Sequence, residues 1–128
     1  IEKAEDVNGK RLVVKTGTTA DEQSTKLFPD AKVTRFEQED TCALEVTTGR
    51  ADAFLYDRYS IVNHQRKNPT TTRAILEPQG PPQPYAMAVR LGDTKFVNRL
   101  NTFLEKFRAD GRYARIYEKH LGEPPPAK

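Results

Sequence analysis

The sequence has no tryptophan, one methionine and a single cysteine, Cys42, so no disulfide can form within the chain. With two histidines and no cluster of His and Cys, a structural zinc site is excluded. The phosphate-cradling patterns Gly-x-x-x-x-Gly-Lys and Gly-x-Gly-x-x-Gly are also lacking. Long apolar runs are missing too. Ala53-Phe54-Leu55-Tyr56 is among the longest, far short of the ~18 residues a membrane span needs. No block of five or more Lys and Arg occurs, and acidic and basic residues interleave, so nothing indicates nucleic-acid binding. The opening Ile1-Glu2-Lys3-Ala4-Glu5-Asp6 is too acidic for a signal peptide, and an exported chain is expected to have lost that segment already.

What remains is a lean, highly charged chain of 128 residues with a net charge of +3. Recounted with glycine in place of tyrosine, the apolar share is about 38%, below the ~45–50% of an ordinary globular domain. Charged residues reach 30%. A core this thin suggests one piece of something larger.

Strand and helix signals alternate. Lys10 to Lys15 is a β-branched apolar run that predicts a buried strand. Thr16-Gly17-Thr18 turns into a helix expected to run to about Leu27, with Thr19-x-x-Glu22 fitting a capping box. Lys32 to Phe36 alternates as a strand, Asp40 to Thr48 is helical, and Gly49 closes it. Ala51 to Tyr56 predicts the third strand, and Asp57 to Lys67 a helix. Two further short strands are expected at Arg73–Glu77 and Tyr85–Val89, either side of a run with four prolines. Phe96, Val97, Leu100, Phe103, Leu104 and Phe107 form one apolar face of a helix from Asp93 or Thr94 to Ala109. A second helix should cover Arg112–His120, ahead of a disordered tail at residues 123–128.

This order implies an α/β fold, a mostly parallel sheet with helices on both faces. In such sheets ligands gather at the carboxyl ends of strands. Two places qualify: Thr16–Thr19 after the first strand and Asp57 after the third. A helix N-terminus offers unsatisfied N–H donors and partial positive charge, suited to a carboxylate, although plain capping explains the threonines equally well. Asp57 can cap its own helix or accept from a ligand ammonium. Together the two places suit a zwitterion such as an L-amino acid. Tyr56 lines the same opening or faces the opposite side, as strand alternation allows either. Cys42 is expected to be a small buried residue, His64 and His120 to be solvated, and no pair of carboxylates supports acid–base chemistry. No catalytic residue, cofactor or metal is expected.

Four separated motifs carry a resemblance. Asn8 to Glu22, with Val13-Val14-Lys15-Thr16-Gly17-Thr18-Thr19 at its centre, resembles the opening of the second lobe of bacterial periplasmic polar-amino-acid-binding proteins, the solute receptors of ABC importers. Thr48-Gly49-Arg50-Ala51-Asp52-Ala53-Phe54-Leu55-Tyr56-Asp57 is similar to that family's strand with its ligand aspartate. Pro84 to Arg90 resembles the hinge strand, with Ala86 where glycine is usual, and Asp110 to Gly122 the closing helix.

The resemblance implies one lobe of a periplasmic-binding-protein clamshell that closes on a polar L-amino acid such as glutamate, aspartate or glutamine. Residues 1–84 would be the second, ligand-binding lobe, and 85–122 the hinge strand and the C-terminal helices that complete the first. The body of that first lobe, with its carboxylate-binding arginine, is expected to be missing from this chain. By the same resemblance Thr18 and Thr19 meet the α-carboxylate, Asp57 the α-ammonium, and Lys15 the ligand side chain. The implied partners are an ABC permease, the other lobe and, through the aromatic C-terminal helices, a second copy of the chain. Two alternatives stay open: a sensor module of a signalling protein or cell-wall enzyme, and an enzyme resembling cyclohexadienyl dehydratase.

Overall fold

The computed structural model describes residues 1–81 and 83–125, and the chain divides after Pro81 into two compact units. Of the tail expected over 123–128, residues 126–128 lie outside the described residues.

The first unit is built on three strands, β1 (Arg11–Lys15), β2 (Lys32–Phe36) and β3 (Ala53–Leu55), in the order β2-β1-β3 with both pairings parallel. Helix α1 (Thr19–Leu27) links β1 to β2, α2 (Glu39–Thr47) links β2 to β3, and α3 (Arg58–Lys67) follows β3. β1 is central, so its side chains are buried on both faces. Leu12 and Val14 join Ala4, Val7 and Phe28 on one face, while Val13 joins Cys42 and Ala51 on the other. The same alternation sends Ala53 and Leu55 to the first cluster and Phe54 to the second. The parallel sheet covered on both faces is the architecture the strand–helix alternation predicts.

At the amino end of the sheet Arg11 forks onto Asp52, Nη2 to Oδ1 at 2.7 Å and Nε to Oδ2 at 3.0 Å, and also donates to the Gly49 carbonyl. The guanidinium and the Arg11 N–H hold the Asp52 carboxyl well below the usual carboxylate range. The folded state therefore favours the ionised form. Its contribution is complete above the ordinary carboxylate value of ~3.9 and is lost as pH falls below it. We expect urea midpoints to drop below about pH 4, and Asp52→Asn to flatten that slope. An unchanged slope in the variant would show that other carboxylates carry the effect.

Two expected strands do not form. Arg73–Glu77 is irregular, with Ala74, Ile75 and Leu76 half-buried. The Leu76 carbonyl, which a ladder would use, accepts from the Arg58 guanidinium at 2.9 Å. Tyr85–Val89 likewise forms no strand, with Tyr85 and Met87 more than half exposed. Alternation predicts which face a strand would bury, but a strand needs a neighbour, and none pairs with either segment among the described residues.

The second unit is a helix pair, α4 (Thr94–Ala109) and α5 (Arg112–Leu121), hinged at Gly111 in the left-handed region with φ of 79°. Asp93 caps α4 by accepting from the Phe96 N–H at 3.0 Å. An aromatic string runs from Phe103 through Phe107 and Tyr113 to Tyr117, with Arg112 over the first two rings. Phe96, Phe103 and Ile116 remain about half exposed. No helix among the described residues is long and apolar enough to cross a membrane.

Candidate functional site

β1 and β3 lie side by side with Val14 opposite Leu55, so their carboxyl ends emerge together. The chain leaves β1 for β2 on one side and returns across it to β3 on the other, which makes this edge the point where strand order reverses. Open α/β sheets form their ligand crevice there. The loop bearing Thr18 and Thr19 and the segment Tyr56-Asp57 both start from this edge.

The loop after β1 is held from three directions. The Thr16 N–H donates to the Phe36 carbonyl at 2.9 Å, continuing the β1–β2 ladder. Gly17 takes φ of 70°, a conformation that strains any residue with a Cβ. Asp21 then closes the turn, as its carboxylate accepts from the Gly17 N–H at 3.1 Å and from Arg35 Nε of β2 at 2.7 Å. Those bonds, the Gly17 one foremost, hold the Asp21 carboxyl below its ordinary range.

Thr18, not Thr19, is the N-cap of α1. Its hydroxyl accepts from the Asp21 N–H at 3.3 Å and donates to the Lys15 carbonyl at 2.8 Å. The expected Thr19–Glu22 box does not form: the cap sits one residue earlier, and the Asp21 carboxylate reaches back to the Gly17 N–H rather than to the cap residue. Both Asp21 and Glu22 suit a capping pattern, and Arg35, remote in sequence, favours the first. The Thr18 hydroxyl is occupied, so a ligand could use only backbone at that residue. The N–H groups of Thr18, Thr19 and Ala20 have no protein acceptor among the described residues, and Thr19 is exposed. Three free donors at a helix start make an anion seat.

Asp57 stands at the N-cap position of α3, where its carbonyl accepts from Ile61 at 3.0 Å, but its side chain makes no capping bond. The carboxylate is exposed and engages no hydrogen bond or ion pair among the described residues. Beside it the Tyr56 ring stacks on Phe54, with centroids 5.3 Å apart and planes 14° from parallel. That places Tyr56 on the α2 face of the sheet. Lys15 is half-buried on the face of Val13, and its ammonium makes no ion pair among the described residues. Both Lys15 and Glu39 act electrostatically on the thiol of Cys42. Burial pushes that thiol up, and Cys42 packs with Val13 and Ala51 as the small buried residue the sequence suggests.

His64 departs from expectation. It is not solvated: its side chain is 13% exposed, its Nε2 lies 2.8 Å from Glu39 Oε1, and its ring packs at a steep angle to that of Phe54, with centroids 6.3 Å apart. Asp52 and Glu45 each pair with an arginine, Arg11 and Arg50, and serve the fold. No group of three metal-ligating side chains occurs among the described residues.

Residues 4–123 match the bacterial extracellular solute-binding proteins, family 3. A probable histidine-binding protein of Neisseria gonorrhoeae is 34% identical over 116 residues, which are 88% of this chain and 43% of that protein. An ABC transporter glutamine-binding protein of Bacillus subtilis is 26% identical over 120 residues, 91% of this chain and 42% of that protein. Among solved structures, an ancestral arginine-binding protein bound to glutamine matches with a TM-score of 0.77 at 32% identity, covering 96% of this chain and 55% of the other. The chain spans less than half the length of these two curated relatives.

Proposed function

We propose, on the premise that this chain belongs to the bacterial extracellular solute-binding proteins, family 3, that it is the gripping lobe of a non-catalytic receptor for a polar L-amino acid. In this reading the N–H groups of Thr18, Thr19 and Ala20 hold the α-carboxylate and Asp57 takes the α-ammonium. Lys15 and Tyr56 flank the ligand's side chain. A half-buried ammonium with no partner favours a side chain ending in oxygen, so glutamate, glutamine or aspartate is the expected class. Residues 1–84 form the ligand-binding lobe, and α4 and α5 belong with the other lobe, whose body lies outside this chain. Closure of the two lobes on the amino acid presents it to an ABC permease from the periplasmic side.

The observation that carries the reading is the pairing of free N–H donors at the end of β1 with an unengaged carboxylate just past the end of β3. Opposite electrical preferences at one strand-order reversal match the two charged ends of an α-amino acid. One lobe leaves its ligand open to water, where polar contacts lose most of their worth, so affinity on the order of millimolar is expected.

The test is an amide NMR titration of the chain with L-glutamate, L-glutamine, L-aspartate and L-arginine. Saturable shifts should concentrate at Thr18, Thr19, Ala20 and Arg58, and N-acetylation of the ligand should abolish them. Shifts elsewhere, or none with any of the four, would refute the assignment.

A further inference from the structure

A chain of contacts runs from Tyr56 through Phe54 and His64 to Glu39. In register, Lys15 of β1 sits opposite Phe36 of β2, on the sheet face that carries Val13 and Phe54. Tyr56 follows β3 and stacks on Phe54, so its ring stands on the same face. Phe54 in turn packs against the His64 ring, at 67° between planes. His64 Nε2 is tied to Glu39 Oε1 at the first turn of α2, with Asp40 Oδ1 4.0 Å away and almost fully exposed.

α2 does not need this bond to stay in place, since Cys42 and Ala43 are buried beneath it. α3 differs: it buries no residue completely. A polar pair in a mostly shielded position contributes little net energy, about 1 kcal/mol, but it fixes direction, which apolar contacts do not. It joins the helix that starts at Asp57 to the helix that starts after β2.

We propose that the Glu39–His64 hydrogen bond positions the Tyr56 ring as one wall of the side-chain subsite, and so tunes which amino acid the lobe accepts. The inference rests on the proposed receptor reading. Glu39 and His64 are positioning residues: they set the plane of Phe54, Phe54 sets Tyr56, and Tyr56 with Lys15 bounds the space beyond the α-carbon. The α-carboxylate and α-ammonium seats need neither.

Two measurements test it on the full chain. In the first, the ring-proton shifts of Tyr56 are read without ligand. His64→Leu, which keeps an apolar edge but loses the bond, should move them toward unstacked values. His64→Gln, whose carboxamide can still donate to Glu39, should leave them near those of the unsubstituted chain. In the second, L-glutamine and L-alanine are titrated in turn, because the alanine methyl is too short to reach the subsite. His64→Leu should weaken glutamine roughly threefold to tenfold and leave alanine unchanged, with His64→Gln restoring most of the loss. Unmoved Tyr56 shifts, or equal weakening of both amino acids, would overturn the proposal and leave the pair as simple scaffolding. If neither amino acid shifts the unsubstituted chain, the receptor reading itself falls; glutamine binding with an unchanged preference in His64→Leu removes only this inference.

Discussion

Asp57→Asn is expected to weaken L-amino-acid binding by roughly tenfold to a hundredfold, enough to erase saturable NMR shifts over the range that saturates the unsubstituted chain. The magnitude follows from charge. An ammonium facing a carboxylate gains a charge-assisted hydrogen bond, and asparagine offers only a neutral carbonyl. Stability should hardly change, for two reasons. The Asp57 side chain makes no capping bond to lose, and asparagine is as good a residue at that helix position. A ligand that lacks the α-ammonium, such as 2-oxoglutarate, gains nothing from Asp57, so the substitution should not weaken whatever residual binding it shows. Binding of L-glutamate undiminished by the substitution would show that Asp57 faces solvent only, as an ordinary helix-start acid.

The elements that hold the site were legible where physics is local. A β-branched run flanked by turn residues predicts β1, and the Thr–Gly–Thr turn ahead of a helix start places the loop. What escaped is whatever depends on a distant partner. Thr18 and Thr19 both read as caps, and acidic residues lie three positions after each. The choice falls to Thr18 because Arg35, on a different strand, fixes Asp21. His64 sits among polar residues and looks solvated, yet Glu39 and Phe54 shield it. Alternation leaves the direction of Tyr56 open, and the stack on Phe54 resolves it. Arg73–Glu77 and Tyr85–Val89 have strand-like composition without a ladder. The common cause is that capping patterns and periodicity describe a segment, whereas register and pairing describe two.

Leu12→Ala should be the most damaging single change to the fold. Leu12 is 1% exposed on the middle strand and shares its cluster with Ala4, Val7, Val14 and Phe28. Truncation removes apolar contact and leaves a cavity that the packed neighbours fill poorly, at about 2–5 kcal/mol. Domains of this size have only ~5–15 kcal/mol in hand, and the lean core puts this chain toward the lower end, where such a loss leaves a sizeable unfolded fraction at room temperature. Leu44→Ala is the control: half exposed on α2, it should shift the urea midpoint by less than about 0.5 kcal/mol equivalent. A loss under about 1 kcal/mol at Leu12 would mean the strand is supported from elsewhere. The consequence for binding differs in kind from Asp57. The Thr18 hydroxyl is anchored to the Lys15 carbonyl at the end of β1, so the anion seat exists only while that strand is held. Leu12→Ala should therefore lose binding in step with folding, and osmolytes that restore the fold should restore the amide shifts, whereas no osmolyte returns a charge to position 57.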